Sequence, residues 1–233
     1  MNRIKWIIFT VITVGIFVTL IIVSEGSKID VSKIDINAIQ TASKQNGNIA
    51  DHVFGKVNSK VTLIEYGDYQ CPPCANIYPV VKLITEKYKD QLQFVFRNFP
   101  ITSAHPNAKA AAATAEASSL QNKFWEMHNK IYETQTDWSD LSISSRGKFF
   151  EGLANELGLD VDKFKAGIAE SNITKKISYD LALGNKAGVT GTPSFYLNGK
   201  LLDSTAYSNE AKFTETINAE LIKAGIELPV VTE

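Results

Sequence analysis

Two cysteines are all this chain has, and both fall in one four-residue stretch, Cys71-Pro72-Pro73-Cys74. No second Cys pair exists to complete a four-ligand zinc site, and His52, His105 and His128 follow no ligand spacing. A bridge between the two would close a loop of only a few residues, and a cross-link stabilises less the shorter its loop. The pair therefore reads as reactive rather than as a staple. Proline and glycine are sparse too, 7 and 14 in 233 residues, which excludes collagen and low-complexity disorder. Neither sign of charge is in excess: 24 Lys and Arg face 25 Asp and Glu, and a net −1 gives nucleic acid no footing. There is no internal repeat. What remains is an ordinary globular composition, 44% apolar and 21% charged, long enough for one substantial core enlarged by an insertion.

Long apolar runs are absent but for one. Trp6–Val23 is eighteen residues without a charge, just enough as a helix to cross about 30 Å of hydrocarbon. Arg3 and Lys5 precede it, and Glu25 and Asp30 follow among few cations, so the positive-inside bias keeps residues 1–5 cytoplasmic and exports the rest. A cleaved signal peptide is the competing reading. Its apolar region is ordinarily shorter, about 7–15 residues, and ends in a small-x-small site of which Ser24-Glu25-Gly26 is a poor version. The expectation is a retained anchor over 6–23, a single-pass cell-membrane protein with its main domain on the extracytoplasmic side. An exported protein can keep disulfides, which suits a reactive Cys pair.

Residues 24–50 read as a polar stalk with a short helix around Ile34–Ala42, and the folded domain as 51–225, with a tail at 226–233. Val61–Tyr66 and Leu92–Arg97 are β-branched and aromatic strands. Between them Ile77, Val80, Val81, Ile84 and Tyr88 mark one face of a helix from Pro72 to about Lys87, with Pro79 inside it as an expected kink. Strand, helix and strand make a βαβ unit with a parallel pair. From about 104 to 187 the period is helical throughout, in Ala108–Leu120, Lys123–Thr134, Ser144–Leu157, Val161–Glu170 and Ile173–Ala187. Ser194–Leu202 then reads as a hairpin about Asn198-Gly199, and Asn209 to about Ala224 as a closing helix.

Cys-x-x-Cys at a strand-to-helix junction has a physical logic. At a helix N-terminus, free backbone N–H groups and the positive end of the dipole favour thiolate at Cys71. Two intervening residues bring Cys74 round one turn, and Pro72 sits where a missing N–H costs nothing. Cys71 is then the exposed nucleophile and Cys74 the shielded resolving thiol.

Glu65-Tyr-Gly-Asp-Tyr-Gln-Cys-Pro-Pro-Cys74, Phe96-Arg-Asn-Phe-Pro100, His105-Pro-Asn-Ala108, Phe124-Trp-Glu-Met-His128 and Gly188-Val-Thr-Gly-Thr-Pro-Ser-Phe195 together resemble the DsbA-type thiol–disulfide oxidoreductases. The resemblance runs from roughly Asp51 to Ala224 and implies an α/β, thioredoxin-like fold with an all-helical insertion. It implies that Pro193 is a cis proline packed on the active-site cysteines, that the Thr192 backbone pairs with an extended substrate, and that Glu65 is a buried acid shuttling a proton for Cys74. It implies no cofactor beyond the redox-active Cys71–Cys74 disulfide, with exported proteins bearing free thiols as substrates and a membrane protein as reoxidant. His105 and His128 read as caps or core of the insert; Trp125, Trp138, Phe149 and Phe150 read as its core. Pro73 departs from the pattern: many DsbA oxidases have His there, which helps stabilise the thiolate, and Pro73 brings neither charge nor N–H. The expected activity is disulfide donation, with a reductase or isomerase as the alternative and an anchored peptide-binding chaperone as a remoter one.

Overall fold

A computed structural model describes residues 29–229, and the folded unit begins at Val31. The expected anchor, Trp6–Val23, lies outside the described residues. Among those described, no helix is long and apolar enough to cross a membrane.

The centre is a parallel pair, β2 (Thr62–Gly67) and β3 (Gln93–Asn98), joined by α1 (Pro72–Lys87). Both strands are buried on both faces, as a sheet covered by helices on each side demands. β1 (Val53–Gly55), a strand the sequence pattern does not announce, adds antiparallel to β3, while β4 (Ser194–Leu197) and β5 (Lys200–Leu201) extend the other edge. The order is β1-β3-β2-β4-β5. The turn between β4 and β5 takes positive φ at both Asn198 (47°) and Gly199 (80°), the geometry that makes Asn-Gly a hairpin signal.

The expected helical insertion is present as α2 (Ala108–Ser119), α3 (Phe124–Glu133), α4 (Gln135–Trp138), α5 (Ile143–Glu156), α6 (Val161–Ile168) and α7 (Ser171–Ala187). Ser142 and Asp160 cap α5 and α6 through their side chains. Gly188 ends α7 in a left-handed conformation (φ 85°), its N–H and that of Val189 returning to Asn185 and Gly184. A 3₁₀ turn (Ser204–Tyr207) leads into α8 (Glu210–Lys223).

Period-2 geometry divides the central strands into two faces. Leu63, Glu65, Phe94 and Phe96 face the layer of α1, α3 and α8: Phe96 meets Tyr132 of α3 at 6.2 Å between centroids, and Phe195, opposite Glu65, meets Phe213 of α8 at 5.5 Å. Tyr66 and Arg97 face α7, which comes so close that a Cβ on Gly184 would stand 2.5 Å from the Phe99 ring.

Residues 31–50, expected as a stalk, instead pack on that second face. The guanidinium of Arg97, wholly buried, donates to the carbonyls of Ile36 (2.5 Å) and Ala38 (2.8 Å) and to Asp51 Oδ2 (2.8 Å). The expected helix around Ile34–Ala42 does not form, and the chain there is a series of turns. Several of its carbonyls are bound by cations from elsewhere in the chain: besides the buried Arg97, the exposed Lys186 donates to Val31, Ser32 and Ile34. Lys176 completes the arrangement with Asp51 (3.0 Å) and Asp180 (2.8 Å), all three side chains being buried. Local hydrophobic period could not reveal this segment, because polar contacts between distant residues fix it.

Candidate active site

Cys71 occupies the N-cap of α1 with extended backbone (φ −70°, ψ 120°), and its side chain caps nothing, so the sulfur is left for chemistry. Pro72 and Pro73 follow, exposed, in the first turn; the helix continues through Pro79 to Lys87. Two prolines remove two of the N–H groups that a helix N-terminus ordinarily offers. The donors left to the Cys71 sulfur at the helix end are the Cys74 thiol and the Cys74 N–H, with Thr192 reaching it from the segment entering β4. Hydrogen bonding from the Cys74 thiol outweighs burial and, with help from Thr192 and the Cys74 N–H, holds the Cys71 thiol down to about 6. Cys74 goes the other way. It is fully buried, and burial together with the neighbouring Cys71 and Glu65 pushes its thiol well above the ordinary range. An acidic thiol is therefore set one helical turn from a suppressed one; Cys71, expected to be exposed, is itself buried, at 5% exposure against 0% for Cys74.

Thr192–Pro193 is a cis peptide, and the Thr192 carbonyl lies 3.4 Å from Cys71 Sγ, which donates to it. The Thr192 hydroxyl is buried and has no partner while Cys71 is a thiol; it is available to donate to the thiolate. Glu65 lies beneath, on β2 between Phe96 and Phe195, and is 3% exposed. It is in no ion pair among the described residues, and burial, then the charge of Cys71, pushes its carboxyl up to about 8. Gly67 keeps its space open: a Cβ there would stand 2.2 Å from the Phe96 ring and 3.1 Å from Glu65 Oε1. All seven residues singled out in the sequence, Cys71, Cys74, Pro72, Pro73, Glu65, Thr192 and Pro193, thus belong to β2, the turn after it, α1 or the segment entering β4.

The sequence assigns the other groups here no part in the chemistry. Gln135 of α4 donates to the carbonyls of Tyr69 (2.7 Å) and Cys71 (3.0 Å), and Gln70 joins Ser139 and Asn107, so the insert clasps the active-site turn. Asp68, buried, accepts from Gln70 N–H, Ile101 N–H and His105 Nδ1, each at 2.8 Å. His128 bonds Tyr69 at 2.9 Å within an aromatic cluster, where burial lowers it to about 3 and keeps it neutral. Tyr132, stacked on Tyr78 at 5.1 Å, has a buried hydroxyl without a partner. A two-residue clasp such as Gln135 depends on how the insert docks, and no local spacing encodes docking. Trp138 and Phe150 are core as expected, whereas Trp125 is only half-buried, beside Phe54 and Phe94. Among the described residues no three His, Cys, Asp or Glu side chains are grouped to hold a metal ion.

This arrangement can exchange disulfides: a sulfur poised as thiolate, a second sulfur behind it, and an acid that holds a proton near neutral pH. The comparisons agree with that chemistry. The thioredoxin family profile matches residues 47–219. Among solved structures, α-DsbA1 of Wolbachia pipientis is 25% identical with a TM-score of 0.64, over 75% of this chain and 92% of that one. Oxidised BdbD of Bacillus subtilis superposes with a TM-score of 0.63 at 23% identity, over 79% of this chain and 98% of that one, a likeness of fold. A curated relative, a Na(+)/H(+) antiporter NhaA 1 of Salinispora arenicola, is 34% identical over 150 residues, 64% of this chain but 22% of that protein. The chain spans less than a quarter of the length of such relatives.

Proposed function

The chain belongs to the thioredoxin family, and from that premise we propose that it is a DsbA-like thiol–disulfide oxidoreductase that oxidises exported proteins outside the cytoplasm. The observation that carries the reading is the split between the two thiols, Cys71 held down to about 6 and Cys74 pushed up. A stabilised Cys71 thiolate favours the reduced pair, which makes the disulfide the stronger oxidant. A substrate thiolate attacks Cys71 Sγ; the Cys71–Cys74 bond breaks and its electron pair goes to Cys74, which takes a proton from Glu65. A second substrate thiolate then attacks the substrate sulfur of the mixed disulfide and expels Cys71 as thiolate. The substrate loses two electrons, the Cys pair gains them, and a membrane protein takes them on. The extended substrate would lie against the Thr192 backbone as a short added strand. The electrons pass through the two sulfurs, and these steps call on no separate cofactor.

Export rests on Trp6–Val23 and its charged flanks, and is tested separately. The protein should resist carbonate extraction and be reached by protease from outside; a soluble form beginning near Ser27 would replace the anchor with a cleaved signal.

One observation favours a reductase or isomerase instead: Pro72 and Pro73 supply the thiolate with neither N–H nor charge. Equilibration with glutathione decides. Rapid oxidation of a reduced dithiol protein, with a potential well above thioredoxin's value of about −270 mV, supports the oxidase; a potential near about −270 mV with efficient insulin reduction overturns it.

A further inference from the structure

His105 opens the helical insert, yet its Nδ1 reaches Asp68 Oδ2 at 2.8 Å, three residues upstream of Cys71. Asp68 shapes the turn that presents the sulfur: the Cys71 N–H donates to its carbonyl at 3.0 Å. Its carboxylate is a liability there. The Asp68 side chain is fully buried, and its charge opposes the thiolate that Cys71 must form. A buried carboxylate is tolerable only where donors hold it.

Three donors do so. The N–H of Gln70 binds Oδ1, while the N–H of Ile101 and His105 Nδ1 both bind Oδ2. Two of these are backbone and fixed by the fold. His105 is the side chain among them, and at 19% exposure it stands between Asp68 and water. Capping does not account for it: at this corner the Ala108 N–H donates to the His105 carbonyl at 3.2 Å, a bond any residue at 105 would accept. Because Pro72 and Pro73 remove donors from the helix end, groups outside the motif gain weight in setting how readily the sulfur ionises.

We propose that His105 is a positioning residue for thiol–disulfide exchange, holding the Asp68 carboxylate through Nδ1 so that its negative charge is kept off the Cys71 sulfur. The inference rests on Cys71 being the exchanging thiol. It ties the helical insert to the sulfur's reactivity rather than to its shape alone.

The test uses the full chain with His105→Ala, His105→Asn, Asp68→Asn and the double variant Asp68→Asn with His105→Ala. Two readouts are taken, the midpoint of Cys71 alkylation against pH and the equilibrium constant with glutathione. His105→Ala should raise the midpoint and shift the equilibrium toward the disulfide at least threefold, about 14 mV at 29.6 mV per tenfold. His105→Asn, whose amide nitrogen can replace Nδ1, should restore both. Asp68→Asn should lower the midpoint, and adding His105→Ala to it should change nothing further. A purely structural role would move neither readout. An unchanged midpoint in His105→Ala, or the same rise in the Asp68→Asn background, overturns the proposal. If Asp68→Asn fails to fold, failure of His105→Asn to restore the midpoint overturns it instead. Alkylation of Cys74 ahead of Cys71 in the unaltered protein would overturn the underlying assignment, a failure distinct from the others.

Discussion

The Cys71 sulfur donates to the Thr192 carbonyl at 3.4 Å, across 121 residues of chain. The contact joins the turn after β2 to the segment entering β4, two places that meet only because those strands pair. It also gives Cys71 different neighbours in its two states: a carbonyl that accepts from the thiol, and an unpartnered hydroxyl for the thiolate.

The thiols should therefore be separable. In the reduced protein an alkylating probe is expected to label Cys71 first, with a midpoint near 6 rather than the ordinary value of about 8.5. Cys74 should stay unlabelled until the protein unfolds, since it has no exposure and its thiol is suppressed. Mass spectrometry of the labelled peptides checks this; equal rates would remove the division of labour.

The same asymmetry predicts which intermediate accumulates. With Cys74→Ser, a substrate joined to Cys71 has no resolving thiol behind it, so mixed disulfides should build up and show as larger species on non-reducing gels. Cys71→Ser should trap none, because the remaining sulfur is fully buried.

Much of this site is legible in the sequence because its central parts are local. Cys71 to Cys74 is a single turn, while the family resemblance picks out Glu65 on the strand that feeds it and Pro193 in the Gly-Thr-Pro run before a strand. The helical insert is legible too, since five of its six helices show helical period or propensity, the four-residue Gln135–Trp138 being too short to do so. Asp68, Gln135 and the packing of residues 31–50 were hidden for one shared reason. Each acts through polar contacts with residues far along the chain, and such contacts leave no period and no spacing. β1 was hidden because three residues are too few to show alternation.

Glu65 should make stability fall with pH, the reverse of the usual carboxylate. Its folded value is raised to about 8 from an ordinary 4.5, so the folded state retains a proton that the unfolded chain has released. That contribution is complete below 4.5 and is lost as pH rises through 8. Cys71 slopes the other way: its thiolate contributes fully above 9 and the contribution is lost as pH falls through 6. Comparing reduced wild type with reduced Glu65→Gln cancels the Cys71 slope. The variant should match wild type near pH 4 and exceed it near pH 9, by up to a few kcal/mol at about 1.4 kcal/mol per unit. Parallel stability curves from pH 4 to 9 would show that Glu65 ionises like an exposed acid.

Arg97 gives the sharpest test of the N-terminal packing. Its guanidinium is shared among Asp51, Tyr66 and the carbonyls of Ile36 and Ala38, all on the sheet face opposite Glu65. Arg97→Met keeps much of the volume but leaves the part-buried Ile36 carbonyl without its donor, the Ala38 carbonyl with Gln40 Nε2 alone, and Asp51 with Lys176 as its remaining cation. Breaking a buried pair from one side costs about 3–5 kcal/mol, mostly from the charge left behind. Urea denaturation should show a loss of that size, and protease should reach residues 31–50 while the rest resists. Asp51→Asn added to Arg97→Met should recover part of the loss, because it removes the stranded charge but does not restore the hydrogen bonds to Ile36 and Ala38. The Cys71 alkylation midpoint should stay where it was, since the central sheet separates the two regions. A variant that loses less than about 1 kcal/mol would mean that water satisfies those carbonyls as well as Arg97 does, and that residues 31–50 are held by something other than this side chain.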